Sequence, residues 1–177
     1  MKLITIFAIA GSAAMAAEPF TNDVKGNQTM TKMNVVQAAE KMPEENYSFK
    51  PTDDIRSFGQ LVGHVADASN MFCSAAKGES NPGQQAEKNL SSKADLVKAI
   101  TAAMAYCDSV FEGMTDAKGS EMISLMGQRS RLGALAFNNM HNMEHYGNMV
   151  TYMRLKGLVP PSTERSMAGK KGKGKKQ

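Results

Sequence analysis

Three residues carry the clearest chemistry in this chain, and they are its only histidines: His64, His141 and His145. Two of them sit in the run His141-Asn142-Met143-Glu144-His145. Residues four apart on a helix lie one turn above each other on one face. Two imidazoles at that spacing can hold a single metal ion. A lone inward histidine is more often hydrogen-bonded to a carbonyl, and an i,i+4 pair does not decide the matter by itself. Here all three fall at inward positions of helical stripes, none in a loop or on a polar face. One shared site for a divalent metal is the economical reading. Zn is expected first, with Ni, Fe and Mn also tolerant of imidazole. Three neutral ligands leave positions open for water or a thiolate, either of which the ion would acidify.

The same run has the H-x-x-E-H form of the inverted zinc metalloproteases, where Glu is the general base. That class needs a further acidic ligand downstream. Only Glu164 follows, and Glu144 lies about 100° around the helix from His145, so this reading is set aside. Asn138, Asn142, Asn148 and Tyr152 are near enough in sequence to orient ligands or substrate. An ordinary polar role on the helix serves each of them equally well. No residue stands out as a general base.

Four helices must position these residues. The first is expected over 23–42, with Met30, Met33, Val36, Ala39 and Met42 as its apolar stripe. The second opens at Ser57, where Ser57-Phe58-Gly59-Gln60 has the form of a capping box, and ends near Gly78. The third is expected over 92–113 and the fourth over 130–156. The fourth helix's inward stripe is read as Ala134, Phe137, His141, His145, Asn148, Tyr152 and Leu155. No strand pattern competes. The chain is therefore read as all-α, a four-helix bundle. The polar stretch 78–91 exceeds the 2–8 residues usual between antiparallel bundle neighbours. It is long enough to run back along a helix, so the second and third helices are expected to be parallel, joined by a crossover. Cys73 and Cys107 would then lie at one level near the ends of those helices. Antiparallel packing would separate them by about 20 Å. They are expected to be adjacent; whether they form a disulfide is left open.

The ends differ from the body. Residues 1–16 combine a positive start, a short apolar run from Leu3 to Ala10 and Ala14-Met15-Ala16, the pattern of a cleaved secretory signal peptide. Export to the periplasm or beyond is the expectation, in a compartment that permits a disulfide. No later segment is apolar enough to span a membrane. Five of the 21 basic residues are lysines in the last eight positions. Without these and Lys2, 15 basic residues face 17 acidic ones. The basicity belongs to a tail, 164–177, expected to be disordered, and no specific nucleic-acid partner is expected. Most of the 15 methionines are read as core packing.

Three stretches, in order, resemble the DinB/YfiT-like superfamily: Met42-Pro-Glu-Glu-Asn-Tyr-Ser-Phe-Lys-Pro51, Arg56-Ser-Phe-Gly-Gln-Leu-Val-Gly-His64, and His141-Asn-Met-Glu-His145-Tyr-Gly-Asn-Met-Val-Thr-Tyr-Met-Arg-Leu-Lys-Gly157. The resemblance covers about residues 22–163. It implies a four-helix bundle of up-down-down-up topology, with one metal bound by a His of the second helix and an H-x3-H of the fourth. His64, His141 and His145 match those positions. Relatives include metal-dependent thiol transferases and isomerases and a metal-dependent hydrolase. Export argues against a cytoplasmic thiol as co-substrate. Two functions are therefore carried forward. One is a metal-dependent hydrolase or transferase acting on a small molecule. The other is a non-catalytic metal- or ligand-binding protein of the cell envelope. A homodimer is left open.

Overall fold

The computed structural model describes residues 17–83 and 85–173. The expected signal peptide, 1–16, lies outside the described residues. Four long helices form the bundle: α1 (Pro19–Lys41), α2 (Phe58–Lys77), α4 (Lys93–Glu112) and α6 (Arg131–Leu155). Shorter helices α3 (Ala86–Asn89), α5 (Asp116–Gly119) and α7 (Pro161–Lys173) decorate it.

Long-range contacts give the helix directions. Cys73 and Cys107, each near the C-terminal end of its helix, are bonded with Cα atoms 5.3 Å apart, so α2 and α4 run parallel. Arg131 near the start of α6 donates to the Ala76 carbonyl near the end of α2, while Tyr152 near the end of α6 reaches the Arg56 carbonyl just before α2. These two are antiparallel. Asn139 reaches Val24 and Asn34 reaches Met143, so α1 and α6 are parallel. The topology is up-down-down-up, and the crossover expected between the second and third long helices is present.

The caps follow from the sequence. Ser57 Oγ accepts from Gln60 N at 3.2 Å and Gln60 Oε1 accepts from Ser57 N at 2.8 Å, completing the capping box. Gly78 closes α2 at φ +85°, a conformation in which a side chain is strained. Replacing Ser57 by Ala is expected to cost about 1 kcal/mol, read as a lowered urea midpoint with an unchanged slope.

Four sequence expectations are corrected. The α1 stripe is out of phase: Met30 is 46% exposed, while Val35, Ala38, Ala39 and Met42 are buried together with Gln28 and Thr31. Strict three-residue steps drift about 60° per step around a 100°-per-residue helix, so Met30 and Met42 cannot share a face. Asn148 and Leu155, both read as inward on α6, are exposed, Leu155 by 59% at the helix end. A two-stranded hairpin, Met122–Ser124 with Gln128–Ser130, stands where no strand was expected. Met126 and Gly127, both at positive φ, turn it. Three-residue strands are too short to show alternation. Finally, α7 carries helix through Lys173 over much of the stretch expected to be disordered. Its first turn is tied down by Tyr146 Oη donating to Ser162 Oγ, by the Lys41–Glu164 ion pair and by Arg165 donating to Asn34 and Gln37.

The core has two apolar clusters. One gathers Phe58, Val62, Ile100, Met104, Met149 and Met153. The other surrounds the disulfide with Ala76, Phe111, Ala134 and Leu135. Between these clusters buried polar residues of the two helices meet, Ser69 on α2 with Asn138 and Asn142 on α6. Among the described residues, no helix is long and apolar enough to cross a membrane.

Candidate metal centre

Helix α2 presents His64, and two successive turns of α6 present His141 and His145. All three expected ligands meet. Nε2 of His64 lies 3.2 Å from Nε2 of His141, and Nε2 of His145 lies 3.1 Å from the same atom. One nitrogen from each ring falls within 4.8 Å of the other two. Nitrogens sharing a tetrahedral zinc at 2.0–2.1 Å would stand about 3.4 Å apart. Phe72 walls the site, its ring centroid 6.0 Å from that of His141 and 5.3 Å from that of Phe137.

The opposite ring nitrogens decide where the protons sit. His64 Nδ1 lies 2.9 Å from Glu87 Oε2 and His141 Nδ1 lies 3.1 Å from Asn142 Oδ1. A carboxylate can only accept. Asn142 is oriented by its Nδ2, which donates to Ser69 Oγ at 3.0 Å and Asn138 Oδ1 at 3.2 Å, so its oxygen accepts as well. Nδ1 therefore carries the proton in both rings, and both Nε2 atoms present lone pairs. Two lone pairs facing each other at 3.2 Å repel unless a cation lies between them. The donor set fits a bound metal ion on this ground. His145 is held more loosely, with the Asn148 side-chain amide 3.5 Å from its Nδ1.

The electrostatics keep the two α6 rings neutral. Burial holds the His141 imidazole below its usual range, against the Asn142 hydrogen bond. His145 is pushed down to about 4, first by burial and then by the charges of His141, His64 and Arg56. Burial works to raise the Glu87 carboxyl, but hydrogen bonds from Arg56 and His64 outweigh it and hold that group below the usual carboxylate range. Unfolded histidine titrates near 6.5, so on acidification the unfolded chain takes up protons before His145 and His141 do. The metal-free protein is expected to keep its full stability above that pH and to lose stability progressively from about 6.5 towards 4. Urea unfolding in EDTA across that window tests this; a flat profile would contradict it.

The four polar candidates divide. Asn142 touches His141 directly, and Asn148 touches His145 loosely. Asn138 holds Asn142 and turns its own Nδ2 to the disulfide sulfurs, 3.8 Å from each. Tyr152 donates to the Arg56 carbonyl at 2.6 Å and anchors the segment before α2. Glu144 is exposed and acts on the site only through its charge, which works to raise His141. Glu87 was not foreseen. It lies in the crossover, on the four-residue helix α3, where no periodicity marks it. A cleft of about 520 Å³ opens beside the site, lined by His145, Asn148, Tyr152, Arg56, Glu87 and Gln60 among others.

The likenesses to known proteins follow the same architecture. A family model described as the DinB superfamily matches residues 29–149. The uncharacterized protein YjoA of Bacillus subtilis is 27% identical over 125 residues, 68% of this chain and 80% of YjoA. The crystal structure of a DinB-like protein from Bacillus cereus superposes with a TM-score of 0.70 at 17% identity, over 79% of this chain and 95% of that one. The YjoA crystal structure gives 0.63 at 19% identity, over 78% and 94%. A conserved protein from Enterococcus faecalis gives 0.65 at 16%, over 79% and 98%. The structural likenesses concern the fold, whereas the sequence model spans the helices that carry all three histidines, and on that match the chain belongs to the DinB superfamily.

Proposed function

We propose that this protein is exported, binds one divalent metal ion through His64, His141 and His145, and acts on a small polar molecule as a metal-dependent hydrolase or transferase. The observation that carries the metal reading is the meeting of three imidazoles, with the Nε2 of His141 3.2 Å from that of His64 and 3.1 Å from that of His145. A divalent ion there would act as a Lewis acid and lower the pKa of a water or thiol at an open position. The chain's own residues do the rest. Glu87 and Asn142 fix two of the rings, and Phe72 shields one side. The cleft admits a ligand on the side of His145 and Asn148. That cleft favours a catalytic site over a closed storage site. Its lining is mixed in charge, with Lys50 and Arg56 alongside Asp53 and Asp54, which suits a polar substrate.

Export is supported by the sequence of residues 1–16 and by the chemistry of the Cys73–Cys107 bond, which belongs to oxidising compartments. The activity is tested by assaying zinc-, nickel- and manganese-loaded protein against a panel of ester, amide and thiol-acceptor substrates. Metal-dependent turnover that disappears in His145→Ala is the expected result. A loaded protein that turns over none of them, and whose visible cobalt spectrum does not respond to added ligands such as azide or a small thiol, would point to the non-catalytic binding protein instead.

A further inference from the structure

Of the three imidazoles, only His64 has an anionic partner; His141 and His145 face side-chain amides. That partner, Glu87, is delivered by the crossover and not by a bundle helix. Several features converge on delivering it. Asp67, one turn after His64 on α2, accepts from the backbone N–H of Ala86 at 2.7 Å and of Glu87 at 3.0 Å. Gly63, the residue before His64, lets α3 lie directly on α2. A Cβ there would come within 2.6 Å of the Glu87 backbone N and Cα. Gln85, just before α3, holds a left-handed φ of +54°, a conformation a non-glycine residue adopts at a cost. Arg56 Nε donates to Glu87 Oε1 at 2.7 Å, which leaves Oε2 for His64. Thus residues 63 and 67 seat the backbone that carries this carboxylate on the helix that presents His64.

We infer that Glu87 is a positioning residue of the metal centre, and that the Gly63–Asp67 seat for α3 sets how tightly His64 holds the ion. The inference rests on the three-histidine reading above. A carboxylate on the far nitrogen of a ligating histidine fixes its tautomer and ring orientation and raises its basicity. Glu87 does a second thing: it pairs with Arg56 and so offsets a positive charge beside the site.

The alternative is that Glu87 merely pins the crossover through its ion pair with Arg56. The two roles separate in a pair of variants. In the full chain, Glu87→Gln is expected to weaken zinc binding about 10–100-fold, the usual cost of losing such a partner, and to change the visible spectrum of the cobalt-loaded protein. Its metal-free thermal midpoint should stay near that of the unaltered protein. Arg56→Gln breaks the same ion pair but keeps the carboxylate, and should leave the zinc Kd unchanged or tighter. Asp67→Asn, which loosens α3 while keeping Glu87, should weaken zinc binding in the same direction as Glu87→Gln and covers the case in which that variant does not fold. A Kd for Glu87→Gln within about twofold of the unaltered protein, against the expected tenfold or more, overturns the inference alone. So does an Arg56→Gln loss as large as that of Glu87→Gln. An unaltered protein that binds no zinc overturns the three-histidine reading and this inference together.

Discussion

Reduction of the Cys73–Cys107 bond is expected to lower the stability of the folded chain by roughly 4 kcal/mol, the chain-entropy value for a loop of this length. The bond closes 34 residues of sequence, joins the ends of the two parallel helices and sits fully buried within the second apolar cluster. Its loop contains the whole crossover with α3. Freeing it enlarges the unfolded ensemble and also leaves two buried thiols in a tightly packed place. The effect extends towards the metal centre, because Asn138 contacts both sulfurs and holds Asn142, which in turn accepts from His141. Urea titrations of the oxidised and the fully reduced protein, both in EDTA, read the difference. A shift worth less than about 1 kcal/mol would contradict the entropic account.

The second large effect is expected from His141→Ala. His141 is the central histidine of the three: its Nε2 lies 3.2 Å from that of His64 and 3.1 Å from that of His145. Structural zinc sites are worth about 10–16 kcal/mol over four ligands, so removing one ligand costs about 3–4 kcal/mol, or a few hundredfold in Kd. The substitution also strips the Asn142 oxygen of its donor in a fully buried position, a cost of about 1–3 kcal/mol to the metal-free fold. The stabilisation that added zinc gives the unaltered protein follows from binding to the folded state only, and should vanish in the variant at micromolar zinc. Isothermal titration and zinc-dependent melting test both parts. A variant that binds zinc within about tenfold of the unaltered protein, where a few hundredfold is expected, would remove His141 from the ligand set.

The convergence of the three histidines was legible in the sequence for a physical reason. Helical spacing puts i and i+4 on one face, and amphipathic stripes say which face is inward. The parallel crossover was legible from the length of 78–91, and the adjacency of Cys73 and Cys107 follows from it. The sequence was silent where spacing carries no information. Glu87 reaches His64 across 23 residues from a helix of four residues. Its role depends on Asp67 and Gly63 bringing α3 against α2, contacts that no local pattern encodes. The α1 face was misread because its inward positions include Gln28, Thr31 and Asn34, polar residues that a search for apolar stripes skips. The α7 helix was missed because its composition reads as solvated, while its first turn is held by contacts with α1 and α6.

The most direct measurement is the metal itself. The purified full chain, equilibrated with zinc and freed of excess ion, should carry one zinc per chain. Its X-ray absorption should show three imidazole nitrogens and at least one further donor, such as a water oxygen, completing the shell. Zinc well below one per chain at saturation, or a bound ion whose shell lacks imidazole, would contradict a shared site at His64, His141 and His145.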